Sequence, residues 1–202
     1  MFFRSEVFAH LLVTLVYFFF VSVLRFKLDW GVLWLWLGAL IGTFFLDIDH
    51  LIYWFITHPE EEDSMEARRV IGSVGDVKDV GPAFAKATAG KKIIRIYQLL
   101  QRAHGSHTRL IFHSAIGQTI LFILAIYIIT SGGSIFGSAL IMAANLHLLR
   151  DEWADFGRNK DHLADWLFWQ IREPKLREYL KEYLVGVTLV FLILTGLLIK
   201  GI

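Results

Sequence analysis

The run Leu33–Ile56 is apolar almost throughout, yet it carries Asp47-Ile48-Asp49-His50 and no lysine or arginine to pair with them. A run of that length is enough to cross a bilayer, which takes about 20 residues. An ionisable side chain at that depth costs roughly 2.5 kcal/mol or more, so it usually marks function and needs a partner charge. Three such side chains in four positions require a compensating cation. A bound metal ion is the simplest one.

The surrounding run extends over Trp30–Thr57, and four further apolar stretches cover approximately Val7–Leu24, Leu110–Thr130, Ser134–Leu149 and Leu184–Ile199. Hydrophobic residues make up 55% of the chain and the mean hydropathy is +0.53, well above soluble domains. These features predict an all-α fold, a polytopic membrane bundle of about five transmembrane helices forming a single domain over residues 1–202. Arg25, Phe26 and Lys27 follow the first stretch in place of a small-residue cleavage site, so the first helix is expected to be retained. Trp30, Trp34 and Trp36 suit an aromatic belt at one interface.

Two polar regions interrupt the apolar pattern. Residues 58–92 open with Pro59-Glu60-Glu61-Glu62-Asp63 and end in an alanine- and glycine-rich stretch, which predicts a flexible loop or insertion. Its Gly90-Lys91-Lys92 is no phosphate loop, because Ala85 stands where the first glycine is required and Lys92 where Ser or Thr is. Residues 151–183 are expected to form an interfacial helical segment. There Asp161–Tyr183 reads as amphipathic helix interrupted at Pro174, with Trp166, Leu167 and Trp169 against Arg172, Lys175, Arg177 and Lys181.

Charge and cysteine usage narrow the function. The net charge of +1 is spread over loops and points to no nucleic-acid partner. The absence of cysteine excludes disulfides, thiolate metal sites and a cysteine nucleophile. With five spans, 17 of the 20 lysine and arginine residues fall on the side of the N-terminus. The positive-inside rule then places the N-terminus in the cytoplasm and the C-terminus outside.

This topology gathers the polar residues at one face. His10 lies in the first turns of the first span, Asp47, Asp49 and His50 in the inner half of the second, and His113 at the start of the third. His147 and Asp151 close the fourth. Asp47 and His50 are three apart and His147 and Asp151 four apart, so each pair shares a helix face. Asp49 points about 200° away from Asp47 on an ideal helix, which suits a general base, a second ion or an outer partner of a histidine. Imidazole and carboxylate together suit a divalent metal ion, zinc first and manganese or iron next. A cation so held activates water for hydrolysis near neutral pH. His107, with His104 as its alternative, is a further ligand candidate, and Arg109 has the geometry to bind a substrate phosphate.

These residues resemble the LexA-binding, inner-membrane-associated putative hydrolases, the YdjM-like membrane-bound metal-dependent hydrolase family. His10 matches a histidine in that family's first helix. Gly38-Ala39 together with Asp47-Ile48-Asp49-His50 is similar to its Gly-Ala-x-x-Pro-Asp-x-Asp-His signature, with Leu46 in place of proline and the Gly-Ala pair further upstream. His107-Thr108-Arg109-Leu110-Ile111-Phe112-His113-Ser114 resembles its His-Arg-x-x-x-His-Ser element with one residue added. His147-Leu148-Leu149-Arg150-Asp151 resembles its His-x-x-x-Asp element. The resemblance covers the first four spans. It implies an inner membrane of a bacterium or archaeon and a metal-dependent hydrolase similar to helical zinc phospholipases. The substrate it implies is a phosphate ester at the lipid headgroups. Its name implies a protein partner to which no residue here corresponds. Two other functions fit the same residues: a proton or metal-ion permease, and a non-catalytic membrane scaffold recruiting a partner through residues 161–183.

Overall fold

The computed structural model describes residues 6–25, 29–72, 94–95, 98–99 and 109–201, and every regular element among them is helical. In chain order these are α1 (Glu6–Arg25), α2 (Gly31–Phe45), α3 (Ile48–Ile52) running into a π-helical turn (Tyr53–Thr57), and α4 (Glu62–Gly72). There follow α5 (Ala115–Tyr127) with a second π-helical turn (Ile128–Gly132), α6 (Ile135–Arg158) and α7 (Lys160–Leu167). A 3₁₀ turn (Pro174–Tyr179) then leads into α8 (Leu180–Lys200). The chain divides into two compact units, Met1–Leu46 with Thr108–Ile202 and Asp47–His107.

The first unit buries several polar side chains beside its hydrophobic core and leaves many large apolar side chains exposed. On α1 the buried residues are His10, Thr14, Phe18 and Val21, a stripe at helical spacing, whereas Leu12, Leu15, Val16, Phe19 and Phe20 are exposed. A water-soluble helix shows the opposite arrangement. Four segments are long and apolar enough to cross a membrane: Glu6–Arg25, Gly31–Thr57, Ala115–Gly132 and Pro174–Lys200. The fifth expected span lies in α6, whose C-terminal half carries the consecutive charges Arg150, Asp151 and Glu152. Tyr17 on α1 hydrogen-bonds Thr195 on α8 at 2.8 Å, and the Arg25 guanidinium donates to the Leu198 carbonyl, so α1 and α8 run parallel.

α6 is the central element, in contact with α1, α2, α5, α7 and α8. Its most extensive packing is against α2, and glycines explain it. A Cβ on Gly38 would sit 3.1 Å from the Phe136 carbonyl carbon and 3.2 Å from Ala139 Cβ. A Cβ on Gly42 would sit 2.9 Å from the Leu140 carbonyl carbon and 2.8 Å from Ala143 Cβ. Small residues four apart on one helix, facing alanines on the other, let two backbones approach closely where lipid offers no hydrophobic drive for association.

In the second unit, part of the expected flexible loop is helical. Glu62 and Asp63 stand in the first turn of α4 and Arg69 in its last, complementing the helix dipole. Ser64, Ala67 and Val70 form its buried face, and Trp54 Nε1 donates to Asp63 Oδ2 at 3.0 Å. Residues 73–92 of that region lie outside the described residues. The segment 151–183 is helical over much of its length. Asp151 lies within α6, α7 ends at Leu167, and Pro174 opens a 3₁₀ turn before α8 instead of interrupting a helix. Pro174 lacks the N–H that a helix interior would use, and Glu173 caps the turn by accepting from Lys175 N at 3.2 Å.

Candidate metal centre

His10, His147 and Asp151 are all buried and form a group that could hold a metal ion, their ligand atoms lying within 4.8 Å of one another. His10 comes from the second turn of α1. His147 and Asp151 occupy one face of α6 at i and i+4. Asp151 offers one oxygen to each histidine: Oδ1 is 3.1 Å from His10 Nε2 and Oδ2 is 3.3 Å from His147 Nε2. Donors around a tetrahedral zinc ion, bound at about 2.0–2.1 Å, lie roughly 3.3 Å from one another. The two histidine–carboxylate distances are close to that spacing.

The close approach of α2 fixes the state of His147. Its Nδ1 lies 2.6 Å from the Thr43 carbonyl oxygen, in the last turn of α2, where carbonyls run out of intrahelical partners. A carbonyl only accepts, so Nδ1 carries the proton and donates it. In neutral His147 the lone pair is then on Nε2 and faces the Asp151 carboxylate. Two acceptors at 3.3 Å repel unless a positive charge stands between or beside them. Protonating His147 is one remedy, but its ring stacks on His10 with centroids 3.7 Å apart and planes 11° from parallel, in a site closed to water. A histidine donating one ring nitrogen to a backbone carbonyl while presenting the other to a cation is the usual arrangement of a metal ligand.

A cation already stands on the other edge of Asp151. Arg150 Nη1 donates to Asp151 Oδ1 at 2.8 Å and lies 3.3 Å from His10 Nε2. The guanidinium thus lies against the Oδ1 edge of Asp151, while Oδ2 faces His147. The same Arg150 nitrogen forms an ion pair with Glu6, whose other oxygen accepts from Arg158 Nη1 at 3.2 Å.

His113 stands next to this group. It is buried, and its ring meets that of His147 edge-on with centroids 5.7 Å apart. Ser114 follows it as the N-cap of α5, with extended backbone and Oγ accepting from Gly117 N at 3.0 Å. Gly117 is required there, because a Cβ would come within 2.6 Å of the Phe112 carbonyl oxygen. The cap therefore fixes the backbone carrying His113.

Asp47, Asp49 and His50 belong to the second unit; Asp49 and His50 are buried, and Asp47 is half-buried at the start of α3 without a capping hydrogen bond from its side chain. Arg109 is exposed, just before the turn that leads to His113. His104 and His107 lie outside the described residues.

Reading the sequence missed several groups. Arg150, a basic residue near the end of an apolar stretch, touches the ligand group. Glu6 sits four residues before His10, a same-face spacing that links it to the site. Glu152 is fully buried, receives a 3.1 Å hydrogen bond from Gln118 Nε2, and Gln118 in turn accepts from the Tyr183 hydroxyl. Glu152 follows directly on Asp151, and that adjacency was its only signal. Comparison of the chain with protein-family models, with curated proteins and with solved structures finds no match.

Proposed function

We propose that this chain is a membrane-embedded, metal-dependent hydrolase whose divalent cation, zinc first, is held by His10, His147 and Asp151. The observation that carries the reading is the His147–Asp151 edge. Nδ1 is committed to Thr43, so Nε2 is the nitrogen turned toward the Asp151 carboxylate at 3.3 Å, and with His10 these buried ligand atoms lie within 4.8 Å of one another. His113 is the proposed fourth donor, supported by its burial and its edge-on contact with His147. Asp47, His50 and His107 are proposed as further ligands and Asp49 as general base on their sequence pattern, with Arg109 as a substrate contact.

A zinc ion in such a site supplies Lewis-acid activation of water near neutral pH. The chain's own residues do the rest. Thr43 holds the His147 tautomer, and the α1–α6 contact excludes solvent from both histidines. The expected substrate is a phosphate ester at the headgroup level of a bacterial or archaeal inner membrane, with the N-terminus cytoplasmic. The resemblance to the YdjM-like hydrolases supports that choice. The direct test compares hydrolysis of a phosphodiester chromogen by zinc-loaded and chelator-treated protein in detergent. Activity that requires zinc and is lost in His147→Ala supports the reading, and equal activity in loaded and stripped protein removes it.

One observation favours a second reading, a proton or cation permease. Ser138, Asn145 and Glu152 are all buried and recur at seven-residue spacing along α6, a polar lane through the bundle. Ion uptake into proteoliposomes that Asn145→Leu abolishes would select it over hydrolysis.

A further inference from the structure

The basic residues beside the cage make a second kind of site. Glu6, the first described residue of α1, places its carboxylate between two guanidinium groups of α6. One oxygen pairs with Arg150 and the other accepts from Arg158 Nη1 at 3.2 Å. Arg150 makes all of its contacts with Glu6, Asp151 and His10 through Nη1, and its side chain is only 16% exposed. Among the described residues its Nε and Nη2 make no hydrogen bond. A guanidinium has five N–H donors in a planar fork suited to two oxygens of one anion, and here most of that fork is unused.

Charge points the same way. Glu6, Arg150, Asp151 and Arg158 are in contact as a chain and cancel one another. A divalent cation held by His10, His147 and Asp151 would leave two positive charges uncompensated at this spot.

From these contacts we infer that Arg150 and Arg158 form an oxyanion subsite adjoining the metal cage, and that the Glu6 carboxylate is its built-in occupant. The ligand class is a phosphate group, free or carried on a lipid headgroup, which enters by displacing Glu6. The inference deepens the metal-dependent reading by naming what binds beside the cation. The arginine pair is testable with the metal removed, so the two can fail separately.

The experiment is calorimetric titration of inorganic phosphate into detergent-purified full-length protein, chelator-treated and zinc-loaded, with metal content measured on each sample. Glu6→Gln removes the competing charge while keeping the shape of the side chain. It is expected to bind phosphate about tenfold more tightly than wild type in both metal forms, the factor that loss of one charge-assisted competitor implies. Arg158→Gln alters a largely exposed side chain and tests the same site without disturbing the core. Combined with Glu6→Gln it is expected to cancel the gain. A second arm replaces inorganic phosphate by short-chain phosphatidic acid. Tighter binding of the lipid identifies a headgroup as the ligand's source, and equal binding identifies free phosphate. Phosphate affinity unchanged by Glu6→Gln, in folded protein with wild-type metal content, overturns the subsite. Absence of metal from every sample defeats the hydrolase reading instead, and the chelator-treated arm still decides the subsite.

Discussion

His147 Nδ1 donates a 2.6 Å hydrogen bond to the carbonyl oxygen of Thr43, and that bond joins the packing of two helices to the chemistry of a buried site. Thr43 also ties α1 to α2. Its hydroxyl lies 2.8 Å from the Ala39 carbonyl oxygen and 2.9 Å from Thr14 Oγ1, one turn of α1 beyond His10. The three helices that frame the histidine pair therefore meet at one residue.

The α2–α6 contact is expected to control metal affinity from a distance. A Cβ on Gly42 would meet backbone and Ala143 Cβ, neither of which can yield as a flexible side chain does. Gly42→Ala should destabilise the protein by about 1–3 kcal/mol through overpacking and move the Thr43 carbonyl away from His147. Zinc affinity should fall about tenfold or more, the scale of an outer-partner loss. Gly186→Ala, on an exposed position of α8 with nothing within 4 Å of its Cβ, is the control and should leave zinc affinity unchanged.

His113 is expected to matter more than Arg109 for metal retention. His113 is buried against His147, whereas Arg109 is exposed. His113→Ala should weaken zinc binding about tenfold or more, and Arg109→Ala should leave it at the wild-type value. Competition of each variant with a colorimetric chelator reads this directly.

The N-cap before α5 offers a milder perturbation of the same histidine. Ser114 Oγ accepts from Gly117 N and lies 2.8 Å from both the Ile111 carbonyl oxygen and Gln170 Oε1. Ser114→Ala should cost about 1 kcal/mol of stability, read as a lower unfolding midpoint in detergent. Ser114→Thr should retain most of it.

How much of this was legible beforehand can be judged from single residues. Helical patterning followed from hydropathy, and the position of His10 in the first turns of the first apolar stretch was legible in the sequence. The pairing of His147 with Asp151 followed from their spacing on one helix face. The Thr43 carbonyl could not be read, since it is a backbone group whose position depends on Gly38 and Gly42 admitting α6. Arg150 was obscured by its dual character: a basic residue near a span end looks like a topological anchor until a neighbouring helix brings Glu6 to it. The helix α4 was missed because its acidic opening resembles a loop, although Ser64, Ala67 and Val70 supply a buried face at helical spacing.

The buried bridge of Gln118 between Glu152 and Tyr183 gives a stability prediction independent of metal. The amide donates to one partner and accepts from the other, so Gln118→Leu strands both. Each buried polar group left without its partner costs about 1–3 kcal/mol, and the variant should unfold at a markedly lower temperature. Pairing it with Tyr183→Phe should recover part of the loss, because one stranded hydroxyl disappears.

Zinc titration of metal-stripped wild-type protein beside Asp151→Asn tests the cage most directly, since asparagine keeps the side-chain shape and removes the charge between the two histidines. One equivalent of zinc per wild-type chain, bound at least about a hundredfold more weakly by the variant, is the predicted result. Equal binding by the two proteins, or no saturable binding by wild type, would contradict it.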